Sequence, residues 1–156
     1  MFGFLKRKVR EVKAPADGEI VTLESVNDEV FSKKLVGDGV AIRPVSNIFT
    51  APIDGTITKI FSTNHAYSIK SSKDLEVMVH IGLDTVDLNG AGFERLAKEG
   101  DEVKAGDEII RVDLDALREH AKDIITPIII SDESDVKNIE KNLNIVKSGD
   151  IIMEVS

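Results

Sequence analysis

The chain has 156 residues, 42% of them apolar but only 4% aromatic, with no tryptophan, no cysteine and a formal net charge of -8. A chain of that length buries about two-thirds of its unfolded surface as one domain, and the missing cysteines exclude disulfides, thiolate metal sites and thiol nucleophiles together. The acidic balance disfavours nucleic acid, whose phosphates dominate its affinity for proteins, and favours a basic protein partner; no apolar run nears the roughly 20 residues of a membrane-spanning helix.

In chain order, MFGFLKRKVREVK (1–13) has an apolar head followed by a basic cluster, the reverse of a signal peptide. It is expected to be a flexible amino-terminal segment with at most weak membrane contact. Residues 14–156 carry no Ser/Gly linker and no low-complexity tract, so they are expected to form a single domain. APADGEI (14–20) recurs as APIDGTI (51–57), identical at five of seven positions. In each copy an X-Pro and an Asp-Gly precede an alternating apolar run, the chemistry of a turn feeding a strand. Such a repeat predicts two related halves packed face to face. Gly-Asp signals also punctuate NDEVFSKKLVGDGVAI (27–42), EGDEVKAGDEIIRV (99–112) and VKSGDIIMEV (146–155). Many short strands separated by such turns predict an all-β fold, an antiparallel β-sandwich built from a duplicated motif. Helix is expected only in GFERLAKE (92–99) and LDALREHAKDI (114–124), the latter capped by Asp113 or Asp115.

Two of the three histidines, His65 and His80, flank a polar run in NHAYSIKSSKDLEVMVHIG (64–82). If the Ser-Ser-Lys-Asp centre makes a hairpin loop over 71–74, residue 69 pairs with 76, 67 with 78, and His65 stands directly opposite His80. Period-two alternation then puts Phe61, Thr63, Tyr67, Ile69, Glu76 and Met78 on the histidine face, and Ala66, Leu75, Val77 and Val79 on the core side. A slip of one residue would send the histidines to opposite faces. An outward apolar patch with a paired polar centre has the composition of a docking site. Near neutral pH an imidazole is a good nucleophile toward phosphorus, and a second one beside it can donate to phosphoryl oxygens. No P-loop run is present, which points to a phosphorylated protein as the donor. His120 reads as a solvated histidine on an exposed helix face.

TNHAYSIKS (63–71) and VHIGLDTVDLNGAGF (79–93), together with APADGEI, VFSKKLVGDGVAI and APIDGTI, resemble the glucose-type IIA proteins of the bacterial sugar phosphotransferase system. The resemblance runs from about residue 14 to the end of the sequence. It implies that His80 accepts a phosphoryl group from the phosphohistidine carrier HPr and passes it to a cysteine of the IIB domain of a membrane sugar permease. It implies that His65 hydrogen-bonds the phosphoryl group, and that Thr63 orients the His65 ring. Phe31, Val36, Phe61 and Met78 fall at apolar positions of the family's docking surface, Asp28 and Asp84 at acidic ones. Two positions depart from the pattern: Met78 stands where an aromatic is common, and Glu29 where an apolar residue is expected. No organic cofactor and no resident metal are implied. A zinc ion held by His65, His80 and a partner's carboxylate fits what relatives do, and relatives also regulate other proteins according to phosphorylation state. A cytoplasmic location is expected, with the phosphoryl group passed in trans because the chain has no acceptor thiol.

Two rival readings share parts of this pattern. A lipoyl- or biotinyl-type carrier presents a modifiable lysine at a hairpin tip, as Lys73 would be, but leaves the histidine pair without a task. A zinc hydrolase of related β-architecture needs three protein ligands, and no His-x-His occurs.

Overall fold

The computed structural model describes residues 9–72 and 74–156. Eight strands form the larger sheet: β2 (Gly18–Thr22), β3 (Gly37–Pro44), β5 (Gly55–Ile60), β6 (Ala66–Lys70), β7 (Glu76–His80), β9 (Glu102–Val103), β11 (Thr126–Ser131) and β13 (Ile145–Val146). Their order is β13-β2-β3-β11-β7-β6-β5-β9. Two three-stranded sheets complete the fold. One joins β1 (Arg10–Lys13), β14 (Ile151–Val155) and β12 (Ile139–Lys141), the other β4 (Ile48–Thr50), β10 (Glu108–Val112) and β8 (Phe93–Arg95). The strand pairs among the described residues are antiparallel. The main core brings Val12, Phe49, Ile110 and Met153 of the small sheets together with Ile20, Ile42, Ile57, Tyr67, Val77, Val79 and Ile128 of the large one. The result is the expected all-β sandwich, filled by aliphatic side chains because the chain has so few aromatic ones.

The sequence repeat is a structural repeat. Ala14 N–H donates to Asp150 O and Ala51 N–H to Asp107 O, while Gly149 and Gly106 return the bond to Ala14 O and Ala51 O. The Asp17 carboxylate accepts from Ser148 N–H and the Asp54 carboxylate from Ala105 N–H, both at 2.8 Å. Each APxDGxI turn is therefore clasped by its own VKxGD turn. The copies cross-link through Lys13 N–H to Pro52 O and Thr50 N–H to Pro15 O. The Asp-Gly glycines are needed for close approach. A Cβ at Gly18 would lie 2.2 Å from Arg43 O, and one at Gly55 2.3 Å from Lys70 O.

Three expectations are corrected. The folded unit starts before residue 14, because Arg10–Lys13 pairs with β14 and Val12 is fully buried; residues 1–8, with most of the basic amino-terminal cluster, lie outside the described residues. GFERLAKE is not helical. Its apolar residues have helical spacing, but Gly92 and Gly100 bracket it with positive φ (87° and 91°), and no side-chain cap like those of Asp28 and Asp113 stands at its start. Phe93–Arg95 instead pairs with β10. Conversely, a one-turn helix at Glu29–Ser32 (α1) was not foreseen; Asp28 caps it by accepting from Val30 N–H at 2.9 Å. The second helix, α2 (Leu114–His120), stands within its expected span, with the Asp113 carboxylate accepting from Ala116 N–H and Leu114 and Leu117 buried.

Between β2 and β3 the chain folds back over the outer face of the large sheet. There Leu23, Val26 and Phe31 meet Ala41, Leu83, Ile125 and Ile129 in a second, smaller cluster, with Val21 and Met78 packed against it. This satellite core forms one wall of the region described next.

Candidate functional site

The β6–β7 hairpin has a register one residue away from the expected one. Ala66 faces His80, Ser68 faces Met78 and Lys70 faces Glu76. Ser71 N–H donates to Leu75 O, and the connection between β6 and β7 runs over 71–75, one residue more than the expected 71–74. Tyr67 and Ile69 therefore belong to the main core, not to the histidine face, and both are fully buried. Val77 and Val79 point into the core as expected, and Met78 shares the outer face with His80.

That slip should separate the histidines, yet their ring centroids are 5.0 Å apart in an edge-to-face arrangement. The turn before β6 accounts for this. Asn64 has φ 61°, a left-handed conformation that breaks the alternation of side chains just before the strand begins. Asn64 N–H closes the turn on Phe61 O, and Ile81 N–H, next to His80, binds His65 O. His65 is thus returned to the face that strict alternation denies it, and it is only 3% exposed.

Each ring is held at one nitrogen. His80 Nδ1 lies 2.8 Å from Gly82 O, an atom that can only accept, so Nδ1 carries the hydrogen and Nε2 keeps its lone pair. His65 Nδ1 is hydrogen-bonded to Thr63 Oγ1. Phe31 is 6% exposed and its ring stands 5.0 Å from that of His80, and Phe61 stands 5.3 Å edge-on from His65. Burial lowers His80 below the ordinary imidazole value, against the upward pull of the Gly82 bond and the Asp28 carboxylate. Burial and then the facing His80 push His65 down to about 4. Both rings are therefore neutral at pH 7, the state in which an imidazole nitrogen is nucleophilic.

Val30, Leu35, Val36 and Val86 are exposed apolar side chains on α1, which carries Phe31, on the loop after it, and on the turn at Thr85–Leu88. Asp28 lies at the start of α1. Asp84 is exposed, with φ 59°, at the head of the Thr85–Leu88 turn, whose position is set by Leu83 N–H to Asp123 O and Thr85 Oγ–H to Ile81 O. Glu29 is exposed and paired with Lys33, the residue that follows α1. Lys73, expected at a hairpin tip, lies outside the described residues. Among the described residues no group of three His, Asp or Glu side chains is arranged to hold a metal ion, and no helix is long and apolar enough to cross a membrane.

Sequence reading missed Asn64 and Arg95. A left-handed residue and a strand-borne arginine leave no mark on apolar periodicity, although Asn is among the residues most tolerant of positive φ.

Comparisons of the sequence and of the fold agree on one family of proteins. The sequence profile of the phosphoenolpyruvate-dependent sugar phosphotransferase system EIIA 1 family covers residues 10–136. The glucose-specific EIIA component of the phosphotransferase system from Haemophilus influenzae is 49% identical over 154 residues, 97% of this chain and 90% of its own length. That of Buchnera aphidicola from Acyrthosiphon pisum is 47% identical over 150 residues, 96% and 93% of the two chains. The N-acetylglucosamine-specific EIICBA component of Klebsiella pneumoniae is 43% identical over 146 residues, 94% of this chain but 22% of that protein. In three dimensions the glucose permease IIA of Mycoplasma capricolum superposes with a TM-score of 0.92 at 41% identity, covering 99% of both chains. The chain belongs to the EIIA family of the sugar phosphotransferase system.

Proposed function

We propose that this EIIA protein is a phosphocarrier in which His80 Nε2 is the phosphoryl acceptor. The observation that supports this best is the edge-to-face pair of neutral imidazoles, one of them fixed with its lone pair at Nε2. The donor is the phosphohistidine of HPr. His80 Nε2 attacks phosphorus in line, the N–P bond of the donor breaks, and its electron pair returns to the donor imidazole. Onward transfer reverses the geometry: a cysteine thiolate of a IIB domain attacks phosphorus, the Nε2–P bond breaks, and His80 recovers its lone pair. No P-loop and no organic cofactor take part, and the acceptor thiol lies outside these 156 residues, which contain no cysteine.

His65 is the stabilising neighbour. When Thr63 Oγ–H donates to His65 Nδ1, the ring hydrogen sits on Nε2, free to donate to a phosphoryl oxygen. Positioning and charge stabilisation of this sort supply most of the catalysis in phosphoryl transfer. Val36, Met78 and Phe61, with Phe31 behind His80, form the apolar centre of the docking surface, and Asp28 and Asp84 its acidic part. HPr and the IIB domain use this surface in turn, and the net charge of -8 steers a basic partner toward it. The names of the relatives make glucose the sugar to test first, through a glucose permease supplied in trans.

The deciding experiment is phosphoryl transfer from phosphorylated HPr with mapping of the modified residue. Label is expected on His80 and absent in His80→Ala. Label retained in that variant, or a lipoyl or biotinyl adduct on Lys73 in the mass of the purified chain, would overturn the reading.

A further inference from the structure

The turn that delivers His65 is not held by its own strands alone. Arg95 lies on β8, in the small sheet, and its guanidinium reaches across to the turn between β5 and β6. Nε donates to Asn64 Oδ1 at 3.0 Å and Nη2 to Phe61 O at 3.3 Å. Neither partner is a carboxylate. Both belong to the short segment that makes His65 depart from strand alternation, and Phe61 O is the same atom that accepts the turn-closing Asn64 N–H. Asn64 is the left-handed residue of that turn. The planar fork of an arginine can meet a side-chain amide and a backbone carbonyl together, which a lysine ammonium cannot do with the same geometry.

We infer that Arg95 is a positioning residue for His65: it ties the left-handed Phe61–His65 turn to the neighbouring sheet and so fixes the ring against His80. This rests on reading the histidine pair as the phosphoryl site. Arg95 is exposed and is not assigned any contact with the phosphoryl group; it acts through Asn64 and the backbone. Without it the turn keeps its own bonds, Asn64 N–H to Phe61 O, Phe61 N–H to Ala66 O and Ile81 N–H to His65 O, but loses its tie to β8. A reacting geometry displaced by about 1 Å costs roughly a hundredfold in rate, so a loosened turn is expected to slow transfer noticeably without unfolding the sandwich.

The test uses the full chain with Arg95→Ala, Arg95→Lys and Asn64→Gly; the last keeps left-handed freedom but removes the amide acceptor. The groups facing His65 are the His80 ring, the Phe61 ring and the Thr63 hydroxyl, with the Asp28 carboxylate acting on His80. Imidazole ¹H–¹⁵N spectra across pH should show the His65 midpoint rising from about 4 toward 6.5 in Arg95→Ala and Asn64→Gly as the ring gains water, with Arg95→Lys between these and wild type. Transfer from phosphorylated protein to a IIB domain should slow about tenfold in Arg95→Ala, with label still on His80. A wild-type His65 titration in Arg95→Ala overturns the clamp whatever the rates do, including a raised KM for HPr, which would make Arg95 a docking contact. If wild-type protein takes no label on His80, the phosphocarrier reading falls, while the His65 titration still decides the clamp.

Discussion

His80 and Gly82 are bound to each other through the imidazole Nδ1 and the glycine carbonyl, 2.8 Å apart, two residues along one chain. The bond depends on a backbone that only glycine adopts easily. Gly82 has φ +76°, and a Cβ there would sit 2.7 Å from Thr85 Cγ2 and 2.9 Å from Asp123 O.

Gly82→Ala should therefore move the carbonyl that fixes the His80 tautomer. Labelling by phosphorylated HPr is expected to slow by at least about tenfold, since a single misaimed hydrogen bond of this sort costs on the order of 1 kcal/mol or more. Imidazole ¹⁵N shifts would report the His80 tautomer directly. Wild-type labelling together with unchanged shifts would show that the Gly82 carbonyl does not direct the ring.

In the proposed mechanism Thr63 stands one step away from the phosphoryl group, through its hydrogen bond to His65 Nδ1. Thr63→Val removes the hydroxyl at His65 Nδ1 and should leave His80 able to accept label while onward transfer to IIB slows about tenfold. Thr63→Ser should restore most of that rate, because it keeps the hydroxyl. His65→Gln should behave like Thr63→Val, more severely. Rapid-quench measurement of the two half-reactions separates them, and equal slowing of both would argue against this division of labour.

Acid should weaken the fold through the histidines. His65 titrates at about 4 in the folded chain and near 6.5 when unfolded, so the unfolded chain binds the extra proton first as pH falls. Its contribution is complete above pH 6.5 and is lost as pH drops from about 6.5 toward 4. The lowered His80 adds in the same direction. Asp38 does so further down. Burial alone would raise its carboxyl, but bonds and charges from Lys141, Gly39 N–H and Lys34 hold it below its ordinary 3.8, and that stabilisation fades as pH falls below 3.8. Urea midpoints at pH 7.5 and 4.5 should differ clearly for wild type and less for His65→Gln. A wild-type midpoint that does not move over this interval would contradict the burial of both rings.

Phe31 and Val36 lie close in sequence and should respond differently. Phe31 is 6% exposed in the satellite cluster, and Phe31→Ala should cost about 3 kcal/mol of stability as well as slowing labelling through loss of the wall behind His80. Val36 is 41% exposed, so Val36→Glu should leave the urea midpoint within about 0.5 kcal/mol of wild type while raising the KM for HPr severalfold. An unchanged KM would remove Val36 from the docking surface.

Much of the fold was legible because it is carried by short-range chemistry. The Pro, Asp-Gly and Gly-Asp signals mark turns, and the repeat of APADGEI as APIDGTI corresponds to two matching sets of hydrogen bonds. The pairing of His65 with His80 was anticipated on grounds that the molecule does not use. The expected register placed them opposite one another, whereas the observed register offsets them and the left-handed Asn64 brings them back. Alternation rules have no term for a turn residue that changes the parity of a strand. GFERLAKE misled for the complementary reason: spacing of 3.6 is ambiguous over so few residues, and the outcome rested on β10 offering partners to Phe93–Arg95. Asp28 shows a further gap. Read as a docking acid, it also caps α1 through a bond two residues along the chain, and it raises the affinity of His80 for a proton, which only three-dimensional proximity reveals.

The strand order of the large sheet reads the same from either edge once β13 is matched with β9, β2 with β5, β3 with β6 and β11 with β7. The two copies nevertheless diverge at the connection that follows each repeated strand. After β5 the chain turns back within residues 61–65 and leaves an imidazole at the bend. After β2 it takes residues 23–36 to return, long enough to lie across the sheet and set Phe31 against the other copy's histidine. The two copies thus contribute differently to the histidine pair: one supplies His65 at its bend and His80 on β7, the other the Phe31 ring set against His80.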